Sequence, residues 1–296
     1  MKHVSTLFLL VALCATTFAQ TANTPDPSNW DKPQFDQKRL RLNGIQSIHI
    51  SSYQSNGHRT GRRISGVSMQ LDERGQIVQK VEMGAVDTAR IHEYAYNDHG
   101  KLRWEQTTDV QWNRTYQSGY RLNTDQQKYQ VRSYEVLRND ERMLLATRQY
   151  IYDDQNRLSA IRFLEDRRVI RTNTFEYDEQ GRTAKETFLN ARGDVKKTVS
   201  YAYNEKGQVA EVVIESRTKE SFAYTYDPNG RVATLSWHQN DAFRGEIAYD
   251  YNELGLIATM DSKVQERSGR VAQYHKVVDY TYYPDAQPEQ VATTFQ

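Results

Sequence analysis

The sequence predicts an all-β protein built from antiparallel hairpin repeats of about 25 residues. The repeats join into a continuous curled sheet or a β-solenoid-like spiral. Three observations predict this. A phrase of the form aromatic-x-Tyr-[Asp/Asn]-x-x-Gly-[Arg/Lys/Gln]-apolar returns along the chain, as in AYTYDPNGRVATL (223–235), FEYDEQGRTAKETF (175–188) and SYAYNEKGQVAEVV (200–213). Seven pairs of aromatics at a spacing of two, from Tyr94/Tyr96 to Tyr280/Tyr282, precede the copies, which puts both rings of a pair on one face of a strand. The 296 residues are polar, with 38% hydrophobic content and a mean hydropathy of −0.84. Yet they include 20 Tyr and 9 Phe, far more than a disordered chain carries. Polar and aromatic together describe strands with one wet face.

Taken from the N-terminus, residues 1–19 read as an export signal. Lys2 and His3 precede the apolar run LFLLVALCATTFA, and Thr17 and Ala19 place a small-residue cleavage site before Gln20. Cys14 lies in that run, but Leu13 stands where lipoprotein processing needs a small residue. Cleavage before Gln20 removes the only cysteine, so the mature chain has no disulfide and no thiolate ligand. It also removes Lys2, which takes Lys plus Arg from 39 to 38, equal to the 38 Asp plus Glu. A neutral chain, whose local basic runs such as EDRRVIR (165–171) are balanced by nearby acids and read as solvated strand faces, has nothing in its overall charge to steer it toward nucleic acid or an acidic membrane. The apolar run is too short for a lasting membrane span. Residues 20–37 read as a loose Pro-rich leader, and residues 38–68, with segments such as QSIHISSY, as strands that cap the first repeat.

The repeat domain runs from 69 to 296. Its anchors are Leu71, Tyr96, Tyr152, Tyr177, Tyr203, Tyr226, Tyr251 and Tyr282. The long gap between Tyr96 and Tyr152 spans two periods, and a worn copy around Leu122-Asn123 fills it. Asp or Asn opens a type I turn by accepting backbone N–H bonds, and the Gly slot then needs positive φ. Gly75, Gly100, Gly181, Gly207, Gly230 and Gly255 occupy that slot. Asn156 fills it in YDDQNRL, where the next most tolerant residue is expected. The last copy has Ala286 there and a different turn.

After the turn, alternation breaks: Leu158 is followed by Ile161, Val209 by Val212, Val232 by Leu235 and Ile257 by Met260. Either a bulge restores the face or both faces carry apolar cover. The second turn of each repeat varies, as in LNARGD, IESRTKES and HQNDAFRG. One edge of the sheet is thus uniform and the opposite edge variable, and variable loops on a constant scaffold are where binding resides. Open sheet edges need protection, which Pro284 and Pro288 supply.

The phrases YDPNGRV, YDEQGRT and YDDQNRL, with NDHGKL, NEKGQV and NELGLI as variants, resemble the YD repeats of RHS and teneurin-type proteins. The resemblance covers roughly residues 67 to 290. It implies hairpins wound into a continuous β-sheet spiral, in some members a hollow shell around a toxin. This chain has fewer repeats than such shells and no toxin-like domain after the last copy. The resemblance implies scaffold and surface roles and supplies no catalytic residues.

The search for chemistry finds no catalytic constellation. The histidines have no metal-ligand spacing, and no nucleophile elbow, P-loop or dinucleotide fingerprint is present. No cofactor or metal is expected. Trp104, Trp112 and Trp237 are candidates for stacking on sugar rings. The expected function is that of an exported, non-enzymatic scaffold of the cell envelope or surface, with a protein or glycan partner and no nucleic acid. The alternative is a carbohydrate-binding or carbohydrate-active protein that uses these tryptophans and the variable loops. An outer-membrane β-barrel is a third reading. Strands such as VKKTVSYAY carry too much charge for a lipid-facing wall.

Overall fold

In the computed structural model the described residues are 35–55, 61–85, 87–123, 125, 127–240 and 243–284. The export signal, most of the leader, Ala286 and Pro288 lie outside them. Alternating runs bounded by turn residues become eighteen strands. These are β1 (Ile45–Ser55), β2 (Arg62–Leu71), β3 (Ile77–Met83), β4 (Thr88–Tyr96), β5 (Leu102–Asp109) and β6 (Arg114–Leu122). Next come β7 (Lys128–Val136), β8 (Arg142–Tyr152), β9 (Leu158–Glu165), β10 (Arg168–Tyr177), β11 (Thr183–Asn190) and β12 (Val195–Tyr203). The last six are β13 (Val209–Glu215), β14 (Lys219–Tyr226), β15 (Val232–Gln239), β16 (Phe243–Tyr251), β17 (Ile257–Glu266) and β18 (Val271–Tyr282).

Each strand pairs antiparallel with its neighbour in sequence, and β18 pairs with β1, from Ile45 opposite Tyr282 to Ser55 opposite Gln273. The sheet is therefore a closed 18-stranded barrel. This corrects the expectation of an open curled sheet or a spiral. Twist curls the ribbon as expected, but the curl returns β18 to β1, and closure pairs the edge groups that an open sheet would leave free. Edge protection by prolines has no role in such a sheet. β1 lies within the wall, between β18 and β2.

The broken alternation after each motif turn is a bulge. Ile151 opposes Ala160 and Tyr152 then opposes Leu158, so Ser159 is the extra residue and Leu158 joins Ile161 on the inner face. The same shift separates Ala202/Tyr203, Thr225/Tyr226 and Asp250/Tyr251 from their partners.

Paired residues on adjacent strands share a face, which gives the wall two sides. The inner side carries the rings and the aliphatic residues between them: Tyr201, Val212, Tyr224, Leu235, Tyr249 and Met260 succeed one another around β12 to β17. Val212 is 0% exposed and Leu235 1%. Inward side chains closed off to that degree do not line a water-filled channel, so this part of the interior is packed. The outer side is charged: Lys196 on β12, Arg244, Glu246 and Asp250 on β16, and Asp261 and Lys263 on β17 are all exposed.

One short helix, α1 (Gln37–Leu42), precedes the barrel. Asp36 caps it by accepting from the N–H of Lys38 at 2.9 Å, and Leu40 is buried in the barrel core. It lies against the motif-turn mouth, where Arg39 Nη1 donates to the Gly255 carbonyl at 3.1 Å. A Cβ on Gly75 would stand 2.9 Å from the Gln37 carbonyl, so that turn has to be a glycine for the helix to seat.

Candidate functional site

The chain presents three distinct surfaces: the motif-turn mouth, the variable-turn mouth and the inner wall. At the motif turns, an Asp or Asn side chain accepts from the backbone N–H groups two and four residues on. Asp178 takes Gln180 at 3.0 Å and Arg182 at 2.8 Å, and Asn204 takes Lys206 at 3.0 Å and Gln208 at 2.9 Å. The glycine slot of the motif has positive φ throughout: Gly75 +72°, Gly100 +70°, Asn156 +65°, Gly181 +75°, Gly207 +76°, Gly230 +75° and Gly255 +70°. Asn123 Oδ1 likewise accepts from the N–H groups of Asp125 at 3.0 Å and Gln127 at 2.8 Å.

The residue after the slot reaches into the next repeat. Arg157, Arg182 and Arg231 pair with Asp153, Asp178 and Asp227, and their guanidinium groups lie over the rings of Tyr177, Tyr203 and Tyr251 at 4.6, 4.2 and 4.3 Å. Where the pair is Asn204 and Gln208, the glutamine instead donates to the Gly230 carbonyl at 2.9 Å.

The motif tyrosines make a second link. The hydroxyls of Tyr96, Tyr152, Tyr177, Tyr203, Tyr226 and Tyr251 donate to the carbonyls of Ile77, Lys128, Leu158, Thr183, Val209 and Val232, at 2.6 to 2.8 Å. Each acceptor is the first strand residue after the preceding motif turn, just past the last ladder pair between the two hairpins. For β13 and β14 that last pair is Glu211 with Ala223, and Val209 lies beyond it. In the last repeat Tyr280, not Tyr282, makes this link, to the Ile257 carbonyl at 2.8 Å, and Tyr282 is exposed. Tyr283 then reaches the Leu71 carbonyl at 2.6 Å and donates its own N–H to Gly44.

The inner wall is unequal. Five residues after each positive-φ slot stands the spacer between neighbouring rings. It is Ile161, Val212, Leu235 and Met260 in four repeats, but Lys80, Glu105 and Glu186 in three. Lys80 on β3 and Glu105 on β5 belong to a polar tract around β3 to β8, and Glu186 stands apart on β11. Lys80 Nζ lies 2.5 Å from Glu82 Oε1, His92 Nε2 lies 3.7 Å from the same oxygen, and the other His92 ring nitrogen is 3.0 Å from Thr107 Oγ1. His92 and Lys80 together outweigh burial and hold the Glu82 carboxyl far below the usual range. A carboxylate held this firmly in its ionised form is a poor acid or base catalyst. Burial, reinforced by Arg148, brings Lys128 down to about 8, and its ammonium lies 5.1 Å over the Tyr120 ring. Asn173 donates to the buried Glu186 at 2.9 Å. Aligning the copies on their glycine slot exposes these charged spacers in the sequence; periodicity of hydrophobicity alone passes over them.

The three tryptophans do not meet. Trp237 points inward, is 7% exposed and packs on Gly245; Trp104 lies on the outer face of β5; Trp112 is 66% exposed in the β5–β6 turn. Among the described residues no group of three or more His, Cys, Asp or Glu side chains could hold a metal ion, and no helix is long and apolar enough to cross a membrane.

The variable-turn mouth differs from the rest of the exterior. Of the thirteen large apolar side chains exposed among the described residues, ten lie at or within a few residues of the variable turns; Leu42, Tyr129 and Tyr282 are the exceptions. Trp112, Leu144, Ile170, Val195, Phe243 and Val271 come from six different hairpins of that rim.

The Teneurin YD-shell family model matches residues 128–283, more than half of the chain. No curated protein matches it. Among solved structures, a porin-like protein from Bacteroides uniformis is 11% identical with a TM-score of 0.45, over 81% of this chain and 97% of that one. A porin-like protein from Bacteroides vulgatus is 10% identical with a TM-score of 0.24, over 81% and 98%. A DUF1329 family protein from Desulfovibrio piger is 5% identical with a TM-score of 0.21, over 84% and 91%.

Proposed function

The chain belongs to the Teneurin YD-shell family, and from that premise we propose that it is an exported, non-enzymatic β-barrel scaffold of the cell envelope or surface. Residues 1–19 serve as the cleaved export signal and the barrel as the working part. Its variable-turn mouth carries the contact surface. The observation behind this is the concentration of exposed apolar side chains on that one rim. Patches of this kind on a folded protein mark interaction sites.

The motif tyrosines and positive-φ residues have a structural role in this reading, because their polar atoms are already engaged between repeats. A carbohydrate site would need aromatic faces converging on one surface, and Trp104, Trp112 and Trp237 stand on three. A lipid-embedded barrel would need an apolar outer band, and the exposed Lys196, Glu246 and Lys263 speak against one.

Fractionation of the producing cells tests the proposal. The protein should appear in the envelope or medium and come away without detergent. Recovery in the cytoplasm, or extraction only by detergent, would overturn it.

A further inference from the structure

Each apolar side chain named on the variable rim has a cation within two residues. Arg114 follows Trp112, Arg142 precedes Leu144, and Arg168 precedes Ile170. Lys196 follows Val195, Arg244 follows Phe243, and Arg270 precedes Val271. All twelve side chains are exposed. Turn chemistry does not ask for this. Tight turns are satisfied by Gly, Asn, Asp and Ser, as the motif-turn mouth demonstrates with the same strands. The pairing of an exposed apolar group with a cation therefore belongs to the rim's use and not to its folding.

We propose that the variable-turn mouth docks on an anionic bilayer surface. The apolar side chains enter the boundary between headgroups and acyl chains, as Trp, Phe and Leu do in interfacial anchors. The guanidinium and ammonium groups beside them meet lipid phosphates, which arginine contacts through two parallel hydrogen bonds. The contacts are spread around a ring with the barrel's mouth at its centre. A broad fluid surface meets all points of such a ring at once. Two of the named cations face acids, Arg114 at 3.9 Å from Glu135 and Lys196 at 3.8 Å from Asp194; ion pairs of exposed cations at this length contribute little, so both can exchange them for lipid phosphate. The charged outer wall limits the depth of entry, and the barrel stands on the membrane without crossing it. The inference rests on the reading of this rim as the contact surface and is independent of export.

Flotation of the purified protein with vesicles tests it. The protein should float with phosphatidylcholine vesicles containing about one third phosphatidylglycerol and stay behind with phosphatidylcholine alone. Raising salt from about 0.1 M to about 0.5 M should release most of it. Trp112→Ala with Phe243→Ala should weaken binding roughly tenfold, and Arg142→Glu with Arg168→Glu and Lys196→Glu should abolish it. Leu42→Ala, at the other mouth, should change nothing. Equal melting temperatures of all variants exclude misfolding as the cause. Failure to float with anionic vesicles, or binding that the rim variants leave intact, would overturn the proposal. So would rim variants that turn a dimer into a monomer without altering vesicle binding, since a second copy would then cover the rim. Because purified protein and vesicles contain no export step, this result and the fractionation result can fail separately.

Discussion

At the scale of the residue, the repeat turns on one hydroxyl. The first aromatic of each pair can be Phe, as at Phe175, but the second is tyrosine wherever the interrepeat hydrogen bond forms at that position. Each bulge leaves the carbonyl after the turn beyond the ladder, and a buried unpaired carbonyl is costly. Tyr226→Phe should therefore lower stability by about 0.5–1.5 kcal/mol, read as a lower thermal midpoint. Gly230→Val forces a β-branched residue to the φ of +75° and should cost about 1 kcal/mol or more; an unaltered midpoint would refute the turn assignment. The same groups set the response to pH. Burial pushes Asp153, Asp178 and Asp227 upward, but backbone N–H groups and the arginine four residues on outweigh it and hold them below the usual range. Their contribution is complete above the unfolded pKa of about 4 and is lost as pH falls through the lower folded value. Burial has the same upward direction for Tyr96, Tyr152, Tyr226 and Tyr251, where it prevails and pushes them up to about 12. Their contribution is complete below the unfolded value of about 10 and is lost as pH rises through about 12. Melting temperature against pH should show a plateau that falls at both ends. Replacing Asp227 and Arg231 by Asn and Gln, the pair used at Asn204 and Gln208, should soften the acid limb alone.

At the scale of the element, the hairpin works because the bulge adds one residue. Without it Leu235 and Trp237 would turn outward, since a slip of one residue exchanges the faces. With it, Trp237 lies inward over Gly245 on β16, and a Cβ there would stand 2.7 Å from the Lys263 carbonyl, as well as against the indole ring. Gly245→Ala should then cost about 1–3 kcal/mol through overpacking, measurable by denaturant unfolding. A replacement without loss would mean that the indole has another resting place.

At the scale of the whole molecule, closure is a contact between the ends of the chain. Ile48, fully buried on β1, opposes Tyr280 on one side and Met69 on the other. Ile48→Asp places an unpaired charge in that seam, with an expected loss of at least 3 kcal/mol (~3–5). Small-angle scattering should show an expanded particle; an unchanged compact barrel would mean that the seam is not a condition of the fold. Closure also explains the division of surfaces. A closed wall has an inside, so the rings face one another's neighbours within it, and the two former edges become two mouths with different chemistry.

The sequence by itself determined the hairpin, its turn chemistry, its period and the face that carries the rings. All of these follow from interactions among residues a few positions apart: an Asp accepting from its own turn, a glycine at positive φ, rings at a spacing of two. It could not choose between a bulge and two apolar faces, because Leu158 and Ile161 read alike until Tyr152 and Tyr150 are set opposite them. Nor did it reveal the tyrosine links, whose acceptors lie 17 to 24 residues away. The tertiary structure alone decided that the ribbon closes, that Glu186 is buried beside Asn173 and that apolar residues from six separate turns share one rim. Closure depends on accumulated twist over eighteen strands, a sum of small rotations that no single stretch of sequence carries.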